Sequence, residues 1–164
     1  MFKLIRVLFY YTLFLLLCSW GFYAHKSINK HAVFALPSEM NSFFIHHIYD
    51  IEQRSVHADK RRYIDSTEAC KHYIDIDLYG VNPFDSVPIT WFDAKEKYSV
   101  DTVINRGILP WVIYWEYHNL VAAMDSGSVK DVVKYAADLG HYVADACVPL
   151  HTTYNYNGQY TNQD

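Results

Sequence analysis

Glycine and proline are scarce in this chain, at six and five of 164 residues, and no internal repeat is present. A collagen-like repeat and a Pro/Gly-rich disordered chain are therefore excluded. Three cysteines are too few to staple a disulfide-dense miniprotein. There is no basic excess: 14 basic against 18 acidic side chains leave a formal charge of −4, so attraction of nucleic acid by bulk charge is excluded. Long apolar runs are missing too. The longest, Val7 to Leu17, is broken by Thr12 and falls well short of the roughly 20 residues that span a bilayer. Strand-type alternation is poor throughout.

What is present is hydrophobic and aromatic, 51% and 17% of the chain, enough for one domain with a core but not two. Fifteen tyrosines and nine histidines stand out. Histidine titrates near neutrality and is the commonest metal ligand, so its abundance directs attention to metal sites.

Lys3 and Arg6 followed by the short apolar run predict a secretory signal peptide over residues 1–19, cut after Ser19 to leave Trp20 as the new N-terminus. The protein is then secreted or periplasmic, with only transient membrane contact. An uncleaved anchor from Val7 to about Tyr23 conflicts with the length rule, and a lipid attached at Cys18 with the bulk of Leu17. Cleavage removes two bases and no acid, which takes the charge to −6. It also leaves Cys70 and Cys147 as the only cysteines, either as one disulfide or as two buried free thiols.

Residues 20–164 read as a mainly α domain. Ile28, Ala32, Val33 and Leu36 predict a helix over Ser27 to Leu36, stopped by Pro37. Ser38 is expected to cap a second helix from Glu39 towards Asp50, with Phe43, Phe44, Ile48 and Ile51 on its apolar side. Residues 54–72 read as a polar loop with one helical turn, and Trp91 to Lys97 as a short helix. A long periodic stretch covers Asp101 to Met124, with Pro110 in the first turn of its main segment, and Ser126-Gly127-Ser128 ends it. Lys130 to Ala146 is the cleanest helix, closed by Pro149.

Four places carry chemistry. His141 and Asp145 are four apart, so they share a helix face and can hold or bridge zinc, with His151 just beyond the proline able to fold back. An ion pair on a solvated face would use the same spacing. His72, in His72-Tyr73-Ile74-Asp75, suggests a partly buried imidazole that needs a partner, as a core histidine or as a ligand. His57-Ala58-Asp59-Lys60-Arg61-Arg62 is either a solvated charge run or a metal-binding Asp59 beside an arginine that clamps phosphate. Finally, a free amine and carbonyl at Trp20 could chelate a metal with His25.

Taken together, Trp20 with His25, Asp59, His72, the GHxxAD block at 140–145, His151 and Asn155-Tyr156-Asn157-Gly158-Gln159 resemble the zinc-dependent phospholipase C and S1/P1 nuclease superfamily. The resemblance implies a helical domain with a zinc cluster between helices and a zinc-dependent phosphodiesterase, in which a zinc-bridging water attacks phosphorus. Asp59, His72, His141 and Asp145 resemble the ligands of a first zinc. The Trp20 amine and carbonyl, His25 and a bridging Asp145 resemble those of a third, and His151 resembles one ligand of a second. Asp59 would also orient the water, Arg62 would contact phosphate, and Asp75 would face the bound base. Family members continue with another histidine and an acid four residues on, whereas this chain stops at Asp164, so it is expected to be C-terminally incomplete in its second zinc site. The four-residue gap between Trp20 and His25 resembles the nucleases, with single-stranded nucleic acid as substrate. The PLHTT and NYNGQ segments look closer to the phospholipase side, with a phospholipid headgroup as substrate. No stable protein partner is expected. An inactive zinc-binding fragment is the reading without catalysis.

Overall fold

The computed structural model describes residues 20–163, so the expected signal peptide, residues 1–19, lies outside it. Among the described residues the protein is mainly helical and has no strand. In chain order the helices begin with α1 (Trp20–Phe34), α2 (Ser38–His46), α3 (Ile48–Arg54) and α4 (His57–Arg61). Two 3-10 turns follow, Ala69–His72 and Ile76–Tyr79. Then come α5 (Pro83–Ser86), α6 (Trp91–Tyr98), α7 (Val100–Asn105), α8 (Leu109–Ser126), α9 (Val129–Ala146) and a last 3-10 turn, Pro149–His151. None of the described helices is long and apolar enough to cross a membrane.

Helices α8 and α9 form a hairpin around which the rest is built. Gly127 closes α8 in the left-handed conformation, and the Ser128 amide donates back to the Ala123 carbonyl at 3.1 Å. Along α9, Val133, Ala137, His141, Ala144 and Asp145 are all buried, the helical spacing of an inward stripe. One apolar cluster joins Val33, Phe44 and Ile51 to Ala123, Val132, Val133 and Ala137. The other gathers Ala58, Ile74, Tyr79, Val103, Leu109, Trp111 and Val112 around Tyr142. Each fully buried large apolar side chain in them is worth about 1.5–3 kcal/mol. Between the two clusters the inward line of α9 changes from apolar to ionisable, at Asp138, His141 and Asp145.

Four expected elements come out differently. Helix α1 starts at Trp20 rather than Ser27, and its inward stripe is His25, Asn29 and Val33. Two of those three are polar, so apolar spacing placed the face only in part: Val33 is buried and Leu36 packs against the core, but Ile28 is 46% exposed and Ala32 faces solvent. The single helix expected over Glu39 to Asp50 is two helices, broken at His47, and Ser38 lies inside α2 without capping it. The loop expected over 54–72 carries its helical turn as α4 and a 3-10 turn besides. The long stretch from Asp101 is interrupted at Gly107, where φ is +83°, and its main segment resumes at Leu109 with Pro110 in the first turn as expected. Cys70 and Cys147 are unbonded and Cys147 is exposed, so neither a disulfide nor a pair of buried thiols is formed.

Candidate metal centre

Five separate elements deliver ionisable side chains to one point beside α9. Helix α9 itself presents His141 and Asp145, whose Nε2 and Oδ2 lie 3.2 Å apart. Helix α1 brings His25, α4 brings Asp59, and the 3-10 turns bring His72 and His151. The segment around His72 is pinned on both sides by main-chain bonds. The Ile108 amide donates to Cys70 (2.8 Å), the Leu109 amide to Tyr73 (3.2 Å) and the Ile74 amide to His151 (2.9 Å). These bonds fix the His72 backbone before any ligand binds.

Asp145 stands at the middle. Its Oδ2 lies 2.8 Å from His72 Nδ1, and its Oδ1 is 3.3 Å from His25 Nε2 and 3.4 Å from His151 Nδ1. Asp59 caps the group from its more exposed side, with Oδ1 3.9 Å from both His72 Nδ1 and His141 Nε2. His72 Nδ1 and His141 Nε2 are 3.0 Å apart. Nitrogen and oxygen donors around one tetrahedral zinc, about 2.0–2.1 Å from the metal, stand about 3.3 Å from each other, which is the spacing seen here. Two sets have their donor atoms all within 4.8 Å: Asp59, His72 and His141, and His25, His141 and Asp145. These buried His/Asp groups can hold a metal ion.

Hydrogen bonds select which nitrogens are donors to a cation. His141 Nδ1 lies 2.7 Å from the Ser55 carbonyl, which can only accept, so Nδ1 carries the proton and Nε2 turns a lone pair inward. His151 Nδ1 likewise donates to the His72 carbonyl at 2.9 Å; its ring lies at the edge of the group rather than in either set. The His25 ring stacks on His141 with centroids 3.9 Å apart. Asn29 holds that turn of α1, donating from Nδ2 to the His25 carbonyl at 3.1 Å. It can do so only because Gly140 has no side chain, since a Cβ there would collide with the Asn29 amide. Burial pushes the Asp145 carboxyl up, but the surrounding His141, His25 and His72 imidazoles overcome it and hold the group well below the usual carboxylate range. Asp145 is therefore an anion, as a metal ligand requires. The ligands expected at Trp20 fall at the edge of the described residues.

Sequence reasoning missed an ionic network behind His72. Arg61 bonds Asp138 at 3.2 Å, the Tyr142 hydroxyl at 3.1 Å and, through Nε, Glu68 at 3.2 Å. Glu68 is fully buried and also accepts from Tyr142 (2.5 Å) and Lys71 (2.6 Å). Burial pushes its carboxyl up, and the neighbouring His72, Lys71, Tyr142 and Arg61 bring it well below the ordinary range. The available signal was the spacing of Glu68 and His72, four residues apart. Adjacent arginines thus part company: Arg61 is structural, while Arg62 is half exposed, with Nη1 3.9 Å from Asp59 Oδ1.

Arg62 also lines a cavity of about 420 Å³ that opens against the cluster at His72 and His151. Tyr73, Asp75, Tyr154 and Tyr156 form other parts of its wall. Burial, with help from the Asp77 charge, pushes the Asp75 carboxyl up to about 6 from an ordinary 3.8. The folded protein therefore binds a proton at Asp75 that the unfolded chain has released. That contribution to stability is complete below about pH 4 and is lost as pH rises through about 6, by up to about 3 kcal/mol. Asp75→Asn should accordingly melt progressively higher than the unsubstituted protein between pH 4 and pH 7. Calorimetric scans whose difference stays constant over that range would show that Asp75 titrates normally.

Comparison of the chain with protein-family models, curated proteins and solved structures finds no match.

Proposed function

We propose that the protein is a secreted or periplasmic zinc-dependent hydrolase of phosphodiester bonds, acting on single-stranded nucleic acid. The observation that carries this reading is the convergence of His25, Asp59, His72, His141, Asp145 and His151 on one cluster, whose His72 and His151 line a cavity that Arg62 also lines. The donor set fits zinc: it is all imidazole nitrogen and carboxylate oxygen, and His141 already turns an Nε2 lone pair inward. Asp59, His72 and His141 would hold one ion, and His25 and Asp145 another, with Asp145 facing both. Bound zinc supplies Lewis acidity and the means to ionise water near neutral pH.

The protein's own groups supply the rest. Asp59, on the open side of the cluster, orients the attacking water and accepts its proton. Arg62 reaches the same side with a half-exposed guanidinium that fits a phosphate. The rings of Tyr73, Tyr154 and Tyr156 offer stacking surfaces to bases, each stack being worth about 1–3 kcal/mol. Asp75 lies on that wall as a partner for a base edge.

The test is a side-by-side assay of a single-stranded DNA oligonucleotide and a phosphatidylcholine analogue, with and without chelator. Chelator-sensitive cleavage of the DNA alone is the expected result. Hydrolysis of the lipid alone would move the substrate to phospholipid headgroups. Retained zinc with turnover of neither would overturn the hydrolase reading and leave a zinc-binding protein.

A further inference from the structure

His72 poses a problem that its cluster-side contacts do not solve. Its Nδ1 faces Asp145 and His141, while its Nε2 is buried and, among the described residues, has no hydrogen-bond partner. Because His141 turns a lone pair towards His72 from 3.0 Å, the metal-free arrangement is satisfied when His72 Nδ1 carries a proton and donates it to Asp145. A cation bound between those groups needs the opposite, an Nδ1 lone pair, so the ring proton must then sit on Nε2. A buried N–H costs free energy unless something accepts from it.

The group in line is Glu68, whose Oε1 is 3.8 Å from Nε2. A carboxylate offers about four acceptor positions. Arg61 and Tyr142 fill both positions of Oε1 and Lys71 one of Oε2, so the position left for His72 is on Oε2, which a small turn of the carboxylate among these donors would bring to the ring. We propose that Glu68 is a positioning residue for the metal centre, accepting from His72 Nε2–H and so presenting Nδ1 as the ligand. Glu68 does not touch the metal or substrate. Asp138 belongs to the same network, bonded to the other side of Arg61, but makes no bond to His72. It is therefore the control for a merely structural role.

This inference rests on the zinc reading, and the experiment separates the two. The full chain, labelled with ¹⁵N, is titrated with zinc while long-range ¹H–¹⁵N correlations report the protonated nitrogen of His72. Zinc affinity is measured in parallel, by competition with a chelating indicator, for the unsubstituted protein, Glu68→Gln and Asp138→Asn. The zinc-loaded protein should carry the His72 proton on Nε2. Glu68→Gln should weaken zinc binding by about 10–100-fold, the usual effect of losing such a partner. Asp138→Asn should stay within about threefold of the unsubstituted protein, although both variants melt lower. A His72 proton on Nδ1 in the zinc-loaded protein would overturn the proposal, and so would equal weakening by the two substitutions. Zinc that does not bind the unsubstituted protein at all would remove the metal reading itself. If Glu68→Gln fails to fold, the His72 tautomer in the unsubstituted protein still decides.

Discussion

Replacing His141 with alanine is expected to abolish zinc retention and phosphodiester hydrolysis together. His141 belongs to both donor sets, and its Nε2 lies 3.0 Å from His72, 3.2 Å from Asp145 and 3.9 Å from Asp59. No other imidazole occupies that shared position. The substitution also removes the ring on which His25 stacks and leaves the buried Ser55 carbonyl without its donor. Leaving a buried acceptor unpaired costs about 1–3 kcal/mol, so the variant melts lower but need not unfold. Zinc per chain, by elemental mass spectrometry on protein whose helical circular dichroism is intact, is the measurement. A folded variant with undiminished zinc or full hydrolysis would sink the assignment of this cluster as the centre.

Gly107→Ala should be the most damaging substitution far from any ligand. Gly107 is buried at φ +83°, a conformation that costs a non-glycine residue about 1 kcal/mol. An added Cβ would also collide with the Tyr73 carbonyl and ring. That neighbour cannot yield easily, because Tyr73 accepts from Leu109, and Cys70 from Ile108, on either side of the contact. Overpacking of this kind costs about 1–3 kcal/mol, for an expected loss of about 2–4 kcal/mol in all. The displaced segment carries His72, so zinc affinity should fall as well. Gly127→Ala makes the comparison: φ is +70° there too, but nothing stands within 4 Å of the added atom. It should lose about 1 kcal/mol and leave zinc binding alone. Urea unfolding and zinc titration of both variants check this, and equal zinc affinity in the two would disprove the coupling between Gly107 and His72.

The two substitutions also mark how far the amino-acid sequence reaches. Helix α9 was legible because its information is local. A 3.6-residue period puts Val133, Ala137, His141 and Asp145 on one side whatever surrounds the helix, and Gly127 and Pro149 bound it nearly where expected. The pairing of His141 with Asp145 follows from the same geometry. Helix α1 was misread for the complementary reason. Its buried face is His25, Asn29 and Val33, and apolar periodicity registers Val33 but not the two polar residues that build a site. Pro110 marked where the main segment of α8 begins, but the close approach of the Tyr73 backbone to Gly107 was hidden, because Tyr73 is remote in sequence.

By itself, then, the sequence determined a mainly helical domain, the HxxxD pair on one face of its last long helix, and a set of histidines and acids with the chemistry of metal ligands. Local periodicity and side-chain type are enough for that. Only the tertiary structure decided that His25, Asp59, His72 and His151 meet that pair, and that Ser55 and Glu68 stand behind His141 and His72. It also decided that Arg61 is spent in the network while Arg62 reaches the cavity. These contacts join residues up to 120 positions apart, His25 to Asp145. They exist because the apolar clusters on either side of α9 bring the elements together, burying the polar groups between them, where each must find a partner.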